Sequence, residues 1–405
     1  MTINIQTMQK LKEIFRKKMA QTRIDFVRSI MDKINWDARL IGIKGSRGVG
    51  KTTLLLQYIK LNFENNLQST LYVSLDNIWF SDNKLIDLAD NFAKEGGKFL
   101  FLDEVHKYPG WSVEIKNIYD DYPELKVVFT GSSLLEILNA NADLSRRALI
   151  YNMQGLSFRE FLALETNIKF EEISLEQILN DHETLAPDIV SKIKPLKYFT
   201  DYLSYGYYPF FQELPEVYHI RLEEVINLIL ETELPRLRNV NIAYTHKLKQ
   251  LLFIISESAP FTPNISKLSE RTGLNRETML HYLHYLQEAQ LISLAWKNAK
   301  GISRLQKPNK IFLENTNLIF TLTTENPDKG NLRETFFLNQ LKYHHRIELS
   351  PKTDFLIDGE FSFEIGGKNK TTKQITELNK AWIASDDIEY GFGNKIPLWL
   401  FGFLY

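Results

Sequence analysis

The chain has 405 residues, enough for two or three domains that each bury a core. A hydrophobic fraction of 44% and a charged fraction of 24% are ordinary globular values, which excludes disorder and collagen-like order. Lys plus Arg number 49 and Asp plus Glu 50; this net charge of −1 argues against a chain that is basic throughout but leaves room for a local basic face. The chain has no cysteine, so disulfides, thiolate zinc sites, iron–sulfur clusters and a thiol nucleophile are excluded together.

At the N-terminus Lys10, Lys12, Arg16, Lys17 and Lys18 interrupt the apolar residues, unlike a signal peptide, and no run of residues is apolar enough for a membrane helix. The expectation is a soluble, cytoplasmic protein with no membrane partner. Residues 1–35 form a first segment, of which 5–35 read as an amphipathic helical arm. Apolar runs then occur at 40–43, 70–75, 98–102, 126–129 and 148–151. Spacings of roughly 25–30 residues suit βαβ crossovers, hence an α/β core over 36–156 with a largely parallel sheet. Residues 157–250 read as a helical lid. Residues 251–310 read as three short helices and a hairpin, and 311–405 as a domain in which strands return at 310–313, 346–349, 354–357, 361–365 and 397–405.

Gly45-Ser46-Arg47-Gly48-Val49-Gly50-Lys51-Thr52 is a complete G-x-x-x-x-G-K-[ST] match, placed after an apolar strand and before the helical run that starts at Thr53. Glycine lets backbone wrap phosphate oxygens closely, so that amides point inward and the following helix adds its positive end. Lys51 can reach the β- and γ-phosphates, and the Thr52 hydroxyl can ligate Mg²⁺. Downstream, Phe99-Leu100-Phe101-Leu102-Asp103-Glu104 is a buried strand ending in two carboxylates. Asp103 can hold the Mg²⁺ shell through water; Glu104 can orient or deprotonate an attacking water, which points to hydrolysis rather than passive binding. The next strand ends in Thr130-Gly131-Ser132-Ser133. In such a sheet it lies between the other two, so its polar tip either reports the γ-phosphate or caps the helix that follows.

GSRGVGKTT, FLDEVHKYPGW, VVFTGSS and LSRRALIYNMQGLSFREFL together resemble the AAA+-type P-loop ATPases of bacteria and archaea, in particular the AAA family ATPases with a C-terminal domain of unknown function. The resemblance implies ATP as the nucleotide, a sheet in the order 5-1-4-3-2 and Ser132 in the sensor region. It also implies that Arg147, in Leu144-Ser145-Arg146-Arg147, is an arginine finger stabilising the transferring phosphoryl group, often across the interface of a homo-oligomer. The alternative for Arg147 is a surface ion pair.

Ile265 to Thr278 read as helix, tight turn, helix, with Gly273 ending the first and Asn275 capping the second. This resembles a helix-turn-helix with the later residues as a wing, a winged helix over 251–310. Residues 261–310 hold eight basic side chains (Lys267, Arg271, Arg276, Lys297, Lys300, Arg304, Lys307 and Lys310) against three acidic ones. Either they meet DNA phosphates or the module only packs against protein. His281 and His284 have no third ligand in view and read as ordinary residues. In 311–405 the order Glu334, Asp354, Glu364 resembles the PD-(D/E)XK nuclease fold. Gly366 stands where that fold has its lysine, with Lys368 and Lys370 displaced; a degenerate nuclease-like α+β domain is expected.

The function expected is an Mg²⁺-dependent ATP hydrolase whose nucleotide state moves the C-terminal modules on DNA. Its rivals are a nucleotide-controlled switch that binds a protein partner without DNA, and a metal-dependent nuclease with an ATPase module.

Overall fold

Strands whose two faces are both covered read as continuous apolar runs, and four such runs, with a more exposed fifth strand at one edge, form the sheet of the first half of the chain. The computed structural model describes residues 5–134, 144–238, 240–297, 307–323 and 326–405, in two units, Met1–Gly155 and Leu156–Tyr405. In the first unit α1 (Ile5–Gln21) and α2 (Ile30–Lys33) precede β1 (Leu40–Gly45), α3 (Lys51–Phe63), β2 (Thr70–Ser74) and α4 (Leu85–Lys94). There follow β3 (Phe99–Asp103), α5 (Trp111–Asp121), β4 (Lys126–Ser132) and β5 (Leu149–Asn152). The sheet is parallel, in the order β2-β3-β4-β1-β5, which is the expected 5-1-4-3-2 seen from the other edge. Its register sets Gly45 beside Ser132 and Leu102 beside Phe129, so the C-terminal ends of β1, β3 and β4 share one edge. Open parallel sheets bind ligands at that edge.

The arm expected as one helix over 5–35 is interrupted after Gln21. Side chains of α3 take the carbonyls that a continuing helix would have bonded. Gln57 Nε2 donates to the carbonyls of Arg23 (2.9 Å) and Phe26 (2.7 Å), and Lys60 Nζ to that of Thr22 (2.8 Å). α1 itself buries Met8, Leu11, Phe15 and Met19, a single helical stripe, and Phe15 stacks on Tyr72 of β2.

The second unit is helical to residue 288: α6 (Phe158–Thr166), α7 (Leu175–Lys192), α8 (Pro195–Tyr205), α9 (Tyr218–Leu228), α10 (Leu234–Arg238), α11 (Thr245–Ser256), α12 (Ile265–Thr272) and α13 (Arg276–Glu288). An antiparallel pair follows, β6 (Ile292–Ala295) and β7 (Lys310–Leu313), then α14 (Thr316–Leu322) and α15 (Lys329–Leu341). The last sheet is mixed: β8 (Ile347–Leu349), β9 (Phe355–Ile357), β10 (Phe361–Gly366), β11 (Ala381–Ser385) and β12 (Lys395–Pro397), in sequence order. β11 was not among the expected strands. The strand expected over 397–405 stops at Pro397, which has no N–H for the ladder, and Leu398–Phe403 turn into a 3-10 helix. That turn is core: Phe401 packs on Phe337 and Phe363, and a Cβ on Gly402 would meet that of Phe158 at 2.4 Å.

The aromatic segment 202–211 is core as well, and a buried amide organises it. Asn317 Oδ1 accepts from the Tyr207 N–H (2.8 Å) and the Tyr218 hydroxyl (2.5 Å), while its Nδ2 donates to the carbonyls of Tyr202 (3.0 Å) and Leu203 (2.9 Å). Among the described residues no helix is long and apolar enough to cross a membrane. Asn317→Leu strips four bonds from buried groups, so the second unit should lose about 2–4 kcal/mol in denaturant unfolding. A loss below about 0.5 kcal/mol would mean that the amide organises nothing.

Candidate nucleotide site

The loop from β1 to α3 must turn sharply, and Gly48 and Gly50 supply the left-handed φ values, 87° and 98°, that side chains resist. Gly45 answers a different need, because a Cβ there would lie 2.2 Å from the Met153 carbonyl oxygen. Gly45, Ser46, Arg47, Gly48, Val49 and Gly50 thus form a cradle, continued into α3 by Lys51, Thr52 and Thr53. Lys51 is folded over it, with Nζ donating to the carbonyls of Gly45 and Ser46, both at 2.9 Å. Behind the cradle the buried Arg28 donates from Nη1 to the Val49 carbonyl (2.9 Å) and from Nη2 to those of Gln154 (3.0 Å) and Gly155 (2.8 Å). It fastens the loop to the chain that leaves β5.

Asp103 is 2% exposed at the end of β3, and hydroxyls from three elements converge on its carboxylate. Thr52 Oγ1 of α3 and the Tyr72 phenol of β2 each donate to Oδ2 at 2.7 Å, and Thr130 Oγ1 of β4 donates to Oδ1. Burial, and after it the charge of Asp103, push the Tyr72 phenol far above its ordinary range, so Tyr72 stays a donor. Thr52 and Asp103 offer oxygen alone, the donor set that Mg²⁺ takes; these residues fit the ion.

Glu104 has φ 55°, a left-handed conformation uncommon outside glycine. Its N–H donates to Thr130 Oγ1 at 3.0 Å, which holds the turn. Its Oε2 lies 3.9 Å from Arg47 Nη1 and 3.5 Å from His106 Nε2. Ser132 ends β4, where its hydroxyl accepts from the Leu134 N–H (3.4 Å) and its own N–H donates to His106 Nδ1 (3.3 Å). The residues that would follow the helix cap expected at Ser132 or Ser133, 135–143, lie outside the described residues.

The structure therefore brings together the loop, Lys51, Thr52, Asp103, Glu104 and Ser132. It does not bring Arg147 to them. β5 runs parallel to β1 with Leu149 beside Ile41, so Arg147, just before β5, stands at the edge opposite the loop. There it pairs with Asp120 through Nε (2.9 Å) and Nη2 (3.1 Å). Sequence reasoning passed over Tyr72, Arg28 and His106. Only His106 carried a signal, in the string FLDEVHKYPGW.

In the second unit α12 and α13 meet at Gly273 (φ 63°), and Asn264 and Asn275 cap them by accepting from the N–H groups of Lys267 (3.1 Å) and Thr278 (2.8 Å). Lys267, Arg271 and Arg276 are exposed around the turn. Lys300 and Arg304, counted toward a wing, lie outside the described residues. A cleft of about 460 Å³ runs beside α13, lined by Tyr244, Lys247, Thr278, His281, Tyr282 and Tyr285 among others.

Toward the end of the chain burial raises the carboxyls of Glu334 on α15 and Glu364 on β10, and Asp354 adds like charge to both. Lysines answer two of the three acids. Lys310 pairs with Glu334, and Lys370 reaches Glu364 at 2.5 Å with its stem lying over Gly366. Asp354 Oδ2 accepts from the Ile365 N–H at 2.7 Å. Among the described residues no three His, Asp or Glu side chains converge as ligands on one point.

Residues 37–162 match the family model of the AAA domain, and residues 196–329 match that of a domain of unknown function (DUF8612). The uncharacterized protein MJ1637 of Methanocaldococcus jannaschii is 27% identical over 314 residues, 73% of this chain and 65% of that protein. The chain thus spans just under two thirds of that relative's length. Among solved structures, AMPPCP-bound DnaA from Aquifex aeolicus is similar at 16% identity and a TM-score of 0.26, over 64% of this chain and 84% of its own. The S. cerevisiae Hsp104–ADP complex is similar at 14% identity and 0.27, over 67% and 38%.

Arg28→Met leaves three carbonyls without their donor, and the affinity for Mg·ATP should fall about tenfold in an equilibrium titration. Unchanged affinity would show that the cradle keeps its shape without Arg28.

Proposed function

We propose that this chain is an Mg²⁺-dependent ATPase whose site is the cradle of Gly45–Lys51 with Thr52, Asp103 and Glu104. The observation that carries the proposal is the meeting of Thr52 and Asp103 oxygens at 2.7 Å, with Glu104 next in the chain. Backbone amides of the loop and Lys51 bind the β- and γ-phosphates, for which Lys51 exchanges its two carbonyl contacts. Thr52 and Asp103 hold the ion, which when bound neutralises phosphate charge. Glu104 orients a water and accepts its proton as the water oxygen bonds to the γ-phosphorus. The bond from that phosphorus to the bridging oxygen breaks, leaving ADP and inorganic phosphate. Ser132 contacts the γ-phosphate from the tip of β4. Arg147 serves the site of a neighbouring copy, since in its own chain it stands at the far edge of the sheet. That role requires a homo-oligomer and release of Asp120.

Lys51→Ala should lower turnover by a hundredfold or more on the order expected for a lost phosphate ligand. Glu104→Gln should keep Mg·ATP binding and lose turnover by about 10²–10⁴-fold, the usual worth of a general base. A Lys51→Ala protein with full turnover would refute the site.

For the second unit the proposal keeps a helical lid over 157–250, a winged helix over 251–310 and a nuclease-like fold over 311–405, with DNA as the partner of the winged helix. The exposed cations Lys267, Arg271 and Arg276 along α12 and the start of α13, of which Arg271 would exchange its Glu257 partner for phosphate, support DNA over a protein partner. Three phosphate contacts imply a log–log slope of binding against salt near −3. Gel retardation with short duplexes tests this, and salt-indifferent or absent binding favours the protein-partner switch. Lys310 and Lys370 already pair with Glu334 and Glu364, an arrangement that does not support phosphodiester cleavage.

A further inference from the structure

The string that follows Glu104 contains a buried histidine for which the hydrolytic reading has no use. His106 is 5% exposed, in the short 3-10 turn Val105–Lys107 after the left-handed Glu104. The Ser132 N–H donates to Nδ1 at 3.3 Å, so Nδ1 is an acceptor and the neutral ring carries its proton on Nε2. Nε2 faces Glu104 Oε2 at 3.5 Å. The ring therefore lies between two strand ends: Nδ1 accepts from a backbone amide at the tip of β4, and the Nε2 edge stands 3.5 Å from the carboxylate after β3, close enough for a small movement to close the contact.

Arg47 approaches the same oxygen from the loop, at 3.9 Å. Its guanidinium belongs to the segment that receives phosphate and is drawn to phosphate at least as strongly as to carboxylate. His106 approaches from the buried side and is fixed by a backbone group. Of these two approaches, that of His106 does not compete with phosphate.

Resting on the ATPase reading, we propose that His106 is the positioning residue for Glu104: it fixes the carboxylate that takes the proton of the attacking water and ties its orientation to the tip of β4. Positioning of this kind acts on the chemical step and leaves ground-state binding nearly alone. A rearrangement at Ser132 would reach Glu104 through one ring.

The experiment uses the full chain with His106→Ala, His106→Asn and His106→Gln, and measures kcat, KM and Mg·ATP affinity for each. Asn places an amide oxygen near Nδ1 and keeps the Ser132 contact, but has no N–H at Glu104. Gln places an amide N–H near Nε2. The expected result is a kcat at least about tenfold lower for Ala and Asn, with KM and affinity within about threefold of the parent, and recovery of most of the loss by Gln. Ala with parental kcat overturns the proposal. So does an equal loss in all three variants, or a loss of kcat and nucleotide affinity together, which marks a purely structural histidine. These outcomes leave the ATPase reading standing provided the parent hydrolyses ATP and Lys51→Ala does not. A parent that binds no ATP refutes that reading instead.

Discussion

A carboxylate taken out of water must be met by donors, and the proposed nucleotide site is built on the way Asp103 is met. Among the described residues no cation pairs with it; three neutral hydroxyls meet it instead, from Thr52, Tyr72 and Thr130. Each comes from a different element, so one buried anion ties the helix after the loop to the strands on both sides of β3. Hydroxyls satisfy the charge without cancelling it, and the negative potential that attracts a divalent ion is kept. Tyr72 extends the arrangement outward. Lys18 of α1 donates to its phenol oxygen at 3.1 Å, which links the N-terminal helix to the site through two side chains.

The first unit was legible in the sequence where its information is local. A strand, a glycine loop with Lys51 and Thr52, and a second apolar strand ending in Asp103-Glu104 each lie within a dozen residues, and parallel pairing follows from their spacing. Arg28, Tyr72 and His106 were not legible, because each acts on a partner from another element and none stands in a repeating pattern. The break in the N-terminal arm was hidden for the same reason: the amphipathic stripe of α1 is local, whereas the side chains that end it, Gln57 and Lys60, come from α3. Topology decides only where Arg147 stands in its own chain, since a parallel β5 must begin at the edge away from the loop.

The second unit was read less well. Its helices declare themselves by period and caps, and Gly273 and Asn275 took the positions expected of them. Its last sheet depends on pairings that no local pattern marks. β11 is a short run, Ala-Trp-Ile-Ala-Ser, that follows a stretch rich in Lys and Thr, and it becomes a strand by lying between β10 and β12. Of the carboxylates resembling a nuclease, Glu334 and Glu364 are raised, first by burial and then by the charge of Asp354, and these two carry their own lysines. Lys370 lies over Gly366, so a lysine from four residues further on fills the space above the glycine.

The central claim is that Asp103 gathers the ion and Thr52 at one point, and it is tested most directly by the Mg²⁺ dependence of ATP hydrolysis in Asp103→Asn. The amide keeps the shape and one acceptor oxygen but removes the charge. The account predicts turnover lower by two orders of magnitude or more on the scale of a lost electrostatic ligand, with a Mg²⁺ requirement shifted to higher concentration. Turnover and a Mg²⁺ midpoint equal to those of the parent would contradict it.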